Sequence, residues 1–104
     1  MSNLTSTARA KLLSATSPAI YNLAMPLANT EYSQVISSGT KQLLVRMRST
    51  ARAKLAFISG DSSVLYITIE AGAVYFDNQL DLSGTTIYLQ SAAAGQVAEI
   101  LEWT

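Results

Sequence analysis

Few residues in this chain are suited to chemistry. Its 104 residues hold seven carboxylates, seven Lys or Arg and five tyrosines, but no histidine and no cysteine. A Ser–His or Cys–His nucleophilic pair is therefore excluded by composition. So are disulfides, thiolate metal sites and redox centres. Carboxylate work is what remains. Asp77 and Asp81 flank a bend and could meet at one end of a β structure, but aspartates at bends most simply accept hydrogen bonds from local N–H groups. A calcium site from Asp77, Asn78 and Asp81 is the sharper version; it lacks the glycine and terminal glutamate of an EF-hand loop. An enzymatic version would pair Asp77 with Glu99. The glycines stand singly at turns, so no phosphate-cradling loop is present. The residues thus assign no catalytic group, cofactor or metal, and binding or building is the expected work.

Cations and tyrosines are the other candidates. Arg46, Arg48, Arg52 and Lys54 fall on two adjacent predicted strands, 41–48 and 52–58. Joined as a hairpin through Ser49-Thr50-Ala51, those strands would set Arg48 opposite Arg52 and Arg46 opposite Lys54. Leu43, Val45 and Met47 would then meet Phe57, Leu55 and Ala53 on the inner face. Like charges opposed across strands are destabilising, so either acidic residues on a neighbouring strand offset them or the face seeks an anionic protein partner. Nucleic acid is not expected, because aromatic residues do not interleave with the charges. Tyr66, Tyr75 and Tyr88 alternate with aliphatic neighbours. They read as cover for the second face of a sandwich, or else as self-association or sugar-stacking contacts. Trp103 reads as a clamp holding the last strand in the core.

The elements that would position these residues are strands. Hydrophobic content of 49% with 13% charged residues argues for a folded domain, and 104 residues suit a single small one. Basic and acidic groups cancel to zero net charge, which gives no general attraction to nucleic acid or anionic membranes. No apolar run is long enough to span a bilayer. The N-terminal stretch lacks a charged region followed by an apolar one, so no signal peptide is expected. Predicted strands are 30–36, 41–48, 52–58, 64–69, 73–77, 79–82, 85–91 and 96–103, separated by Gly, Ser and Asp turns. The fold class is all-β: a two-sheet β-sandwich, with a jelly roll the natural arrangement for about eight short strands. Residues 1–28 read as an N-terminal arm lying on a surface, extended between Pro18 and Pro26 and extended or helical over Thr7 to Leu13, where an isolated helix would be marginal, and residues 29–104 as the sandwich. Ser-Thr-Ala-Arg-Ala-Lys-Leu occurs twice, at 6–12 and at 49–55, with no recurring period to make a solenoid.

Several stretches together resemble small virion proteins of tailed bacteriophages, of the capsid cement or decoration kind. They are Glu31-Tyr32-Ser33, Gly39-Thr40-Lys41, Ala53-Lys54-Leu55-Ala56-Phe57, Ile69-Glu70-Ala71-Gly72, Leu82-Ser83-Gly84-Thr85, Ile87-Tyr88-Leu89-Gln90-Ser91 and the closing Glu99-Ile100-Leu101-Glu102-Trp103 after Gly95. The resemblance covers about 29–103 and leaves the arm out. It implies a jelly-roll module in the virion, made in the host cytoplasm, that binds across capsid subunits and stabilises the shell by mass action. Its implied partners are the major capsid protein and copies of itself, as a dimer or trimer, with neither nucleic acid nor membrane. Arg9, Lys11 and Tyr21 of the arm and the four hairpin cations would be the contacts. The alternative is a carbohydrate-binding or adhesion module built on Tyr66, Tyr75 and Tyr88.

Overall fold

The computed structural model describes residues 17–78 and 84–104. The strand predicted at 79–82, together with Asp81, Arg9 and Lys11, lies outside the described residues. Within them are eight strands: β1 (Pro18–Met25), β2 (Tyr32–Val35), β3 (Gln42–Met47), β4 (Ala53–Ala56), β5 (Ile67–Ile69), β6 (Val74–Asp77), β7 (Thr86–Gln90) and β8 (Gln96–Trp103). One 3-10 turn, Asp61–Ser63, joins β4 to β5. Gly60 enters it at φ 86°, a left-handed backbone that side chains with a Cβ rarely adopt.

The strands form two four-stranded antiparallel sheets, ordered β1-β8-β3-β6 and β2-β7-β4-β5. Strand pairs nest: β1 with β8, β2 with β7, β3 with β6, β4 with β5. The chain is folded in half at the β4–β5 connection, and the doubled ribbon rolls until β3 meets β8 and β4 meets β7. That nesting makes the fold a jelly roll. Alternation explains why it holds. Leu43, Val45 and Met47 of β3, with Ala98 and Ile100 of the adjacent β8, face Leu55 of β4 and Ile87 and Leu89 of β7, all at 7% exposure or less. Met25 and Ile36 complete the core.

Three expectations are corrected here. Residues 18–25 are not arm: β1 pairs along its full length with β8, and Tyr21 and Leu23 pack on the core. Bracketing prolines marked the segment as extended, but its alternating Tyr21, Leu23 and Met25 also give it an inner face. Strands β3 and β4 are not a hairpin, since they lie in different sheets. Inward parity was right, yet Leu43, Val45 and Met47 meet the β4 residues across the sandwich rather than side by side. A hairpin would have set cation against cation; the jelly roll instead places Glu99 of β8 opposite Arg46. Trp103 shares its parity with Glu99 and Leu101, while Ala98, Ile100 and Glu102 are the buried set of β8. The last strand is held in the core by those residues and not by the indole.

Candidate functional site

The four cations are distributed by the roll rather than gathered. Arg46 Nε and Arg48 Nε donate to the two oxygens of Glu99 at 2.8 and 3.0 Å. Those two bonds, Arg46 first, hold the Glu99 carboxyl below its ordinary range. Arg52 Nε donates to Glu70 at 3.0 Å. Lys54 projects from the outer face of the second sheet, with Nζ 4.9 Å from the centre of the Tyr66 ring. The expected single cationic face therefore dissolves into three local pairings.

Tyrosines also separate. Tyr88 lies outward on β7, between Ser33 of β2 and Ala56 of β4. Tyr66 adjoins β5 on the far side of Ala56 and lines a hollow with it; Ala56 is 2% exposed, covered in that row. Tyr75 belongs to the other sheet and has the opposite parity from that expected: it packs on the core while Val74 and Phe76 face out at 47% and 54% exposure. Burial and the charge of Asp77 raise its phenol pKa. Strand β6 sits at a sheet edge, and the Phe57 ring lies tilted against Tyr75 with centroids 6.3 Å apart. Asp77 and Glu99 do not converge, since they lie on non-adjacent strands of the sheet with opposite parity.

Sequence reasoning missed a polar cluster around Glu102, which is 1% exposed. Tyr21 Oη donates to Oε1 at 2.5 Å and Ser37 Oγ to the same oxygen at 2.6 Å. The Ser37 N–H donates to Oε2 at 2.9 Å, and Thr40 Oγ1 stands 3.0 Å from that oxygen. Burial pushes the Glu102 carboxyl up, but the bonds from Ser37, Tyr21 and Thr40 outweigh it and hold the group below its ordinary range. The hydrogen bond that Tyr21 donates to Glu102 in turn raises the Tyr21 phenol pKa. The cluster ties β1, β8 and the β2–β3 connection together. Tyr21, expected as a partner contact, is committed here. Parity along β8 could have revealed the buried carboxylate, but Val97, Leu101 and Trp103 make the other face equally apolar. A smaller clasp holds the β4–β5 turn: Glu31 accepts from the Ser62 hydroxyl and from the Gly60 and Ser62 N–H groups. The Ser62 hydroxyl foremost lowers the Glu31 pKa.

Large apolar side chains lie outside. On the first sheet, register aligns Ile20, Leu101, Leu44 and Phe76 in one outward row across all four strands. Ile20 is 70% exposed. The next row is Asn22, Glu99, Arg46 and Val74, and between the rows lies a shallow hollow of about 350 Å³. A second apolar surface is the β4–β5 connection with the first residue of β5, where Phe57, Ile58, Val64, Leu65, Tyr66 and Ile67 are all exposed. Leu55, Leu65 and Ile67 line a hollow of about 390 Å³ there. Contiguous exposed apolar patches of this kind mark contact surfaces. Among the described residues no group of three or more acidic side chains could hold a metal ion, and no helix is long and apolar enough to cross a membrane.

No protein-family model matches the chain, and no curated protein matches it in sequence. Solved structures do match in fold. A de novo designed double-stranded β-helix is 13% identical, with a TM-score of 0.52 over 86% of this chain and 100% of that one. A chain of the acid-stable capsid structure of Helicobacter pylori bacteriophage KHP30 is 11% identical, with a TM-score of 0.51 over 86% of this chain and 90% of that one. At these identities the likeness is one of fold.

Proposed function

We propose that this protein is a structural component of a bacteriophage particle, a cement or decoration protein that binds across neighbouring capsid subunits. The outward row Ile20–Leu101–Leu44–Phe76 carries the reading. It runs perpendicular to the strands over the full width of a sheet, so it offers a flat strip instead of a pocket, which suits another protein surface. The Glu99 ion pairs border the strip and would set orientation more than affinity. The fold shared with a chain of a phage capsid structure supports the reading, as does the sequence resemblance to virion proteins. Binding only the assembled shell would raise its resistance to heat and acid by mass action.

The experiment is quantitative mass spectrometry of purified particles, followed by co-sedimentation of the isolated protein with particles that lack it. A fixed copy number per capsid subunit, and loss of binding in Leu44→Glu, are the expected results. Absence from particles, or undiminished binding of Leu44→Glu, would overturn the proposal. Tyr66 and Tyr88, on one outer face around Ala56, favour a second reading as a carbohydrate-binding or adhesion module. That reading expects glycan binding that Tyr88→Ala abolishes and Leu44→Glu leaves intact.

A further inference from the structure

The repeated heptapeptide has one copy seated in the fold, and that seat shows what the other copy can do. Of residues 49–55, the last three form the start of β4. Ala53 and Leu55 point inward at 0% exposure and Lys54 points out. In register, Ala53 lies opposite Ile69, Lys54 opposite Thr68 and Leu55 opposite Ile67 of β5, while Arg52 pairs with Glu70. Residues 6–12 carry the same side chains in the same order: Arg9, Ala10, Lys11 and Leu12 stand where β4 has Arg52, Ala53, Lys54 and Leu55.

Strand β4 has two neighbours, β7 and β5. The far side of β7 is filled by β2, whereas β5 is an edge whose one paired neighbour among the described residues is β4. A strand that already matches β5 on one side matches it on the other, because side chains in one register row share a face across every strand of a sheet. The edge is also apolar where such a strand would lie: Ile67 is 45% exposed and Leu65 72%. The Glu70 side chain, 61% exposed beside Arg52, leaves room for a second arginine.

We propose that residues 6–12 of one copy add as an antiparallel strand to the free edge of β5 in a neighbouring copy. Leu12 then lies beside Ile67, Lys11 beside Thr68, Ala10 beside Ile69 and Arg9 beside Glu70. Reach decides that the donor is a neighbour. The added strand sits about four strand spacings, ~19 Å, to the side of β1 and ~10 Å across the sandwich. That is roughly 21 Å in a straight line through the core, whereas the five residue steps from Leu12 to Ser17 span at most about 18 Å. Contacts of this donor-to-edge kind are heterologous and close into rings or run on as chains of subunits. The inference rests on the fold and the repeat alone, and its test needs no capsid.

The chain has no native thiol, so single cysteines report the contact without background. Full-length Leu12→Cys mixed with isotope-labelled Ile67→Cys should form the mixed disulfide at least tenfold faster than with Val35→Cys, which is exposed on the β2 edge. In sedimentation, the mass of the native chain should rise with concentration. Leu12→Asp and Ile67→Lys should each stay monomeric alone and form a one-to-one dimer when mixed, since one keeps a good edge and the other a good arm. Equal rates at Ile67 and Val35, a native chain monomeric at millimolar concentration, or undiminished self-association of Leu12→Asp would each overturn the proposal. So would a concentration-independent link within the Leu12→Cys/Ile67→Cys double variant.

Discussion

Glu102 and Leu65 occupy opposite solvents from those their side chains prefer: the carboxylate is 1% exposed and the leucine 72%. Around Glu102 at least three donors, from β1 and the β2–β3 connection, converge on one charge. Around Leu65, five further large apolar side chains of the β4–β5 connection and the start of β5 are exposed, at 39% to 75%. The difference separates stability from function. A buried charge is tolerable only when every lone pair is met, and here no buried side-chain polar atom among the described residues lacks a partner. An exposed apolar run contributes nothing to the isolated fold and gains only when something covers it.

Substitutions should divide along that line. The largest effect is expected from Glu102→Ala, which strips the partly buried Tyr21 and Ser37 donors of their shared acceptor at a cost of about 1–3 kcal/mol for each donor left unmet. Against a total stability of roughly 5–15 kcal/mol, urea unfolding should show a much lower midpoint, and Tyr21→Phe should cost about 1–2 kcal/mol. Acid comes next. The Glu102 carboxyl is lowered in the fold, so its contribution is complete above the ordinary carboxylate pKa and is lost as pH falls through the lower folded value. Unfolding midpoints should hold down to about pH 5 and decline below it; Glu102→Gln should be less stable at neutral pH and show a flatter acid limb. Third, Leu65→Ser should change stability by less than about 0.5 kcal/mol while weakening self-association several-fold in sedimentation. A Leu65→Ser chain that unfolds readily would show the connection to be core after all. Smallest of all, Arg48→Ala should leave the unfolding midpoint unchanged within error, because its ion pair is solvent-exposed.

Much of the fold was legible from period-two alternation. The inner residues of β3, β4 and β7 follow from parity alone, which is local and survives any choice of neighbour. Neighbour choice is not local. The hairpin through 49–51 satisfied parity as well as the jelly roll does, and only the position of Glu99, far along the chain, tells them apart. Strand β1 was misread because its exposed Ile20, Asn22 and Ala24 belong to the outer face of an edge strand, where the polar signal of solvent is weak. On Tyr75 and Trp103 the alternation itself was ambiguous, since both faces of β6 and β8 are apolar. That ambiguity is physical: a sheet with apolar residues on both sides is one that expects company on its outside. The candidate contacts Arg46, Arg48 and Tyr21 find partners on β8, which sequence order does not place beside them, whereas Arg52 and Lys54 find theirs at the two ends of β5.

Ser17 and Thr104 exchange two backbone hydrogen bonds where β1 begins and β8 ends. Any tension transmitted along the segment preceding Ser17 would therefore act at one corner and tend to peel β1 from β8 bond by bond, the mechanically weak direction for paired strands. Tyr21, three residues beyond the start of β1, is riveted through Glu102 to Ser37. A tug on the leader must break that rivet before the peel can propagate, so the same carboxylate that stabilises the resting fold would also set the force at which a tethered copy lets go.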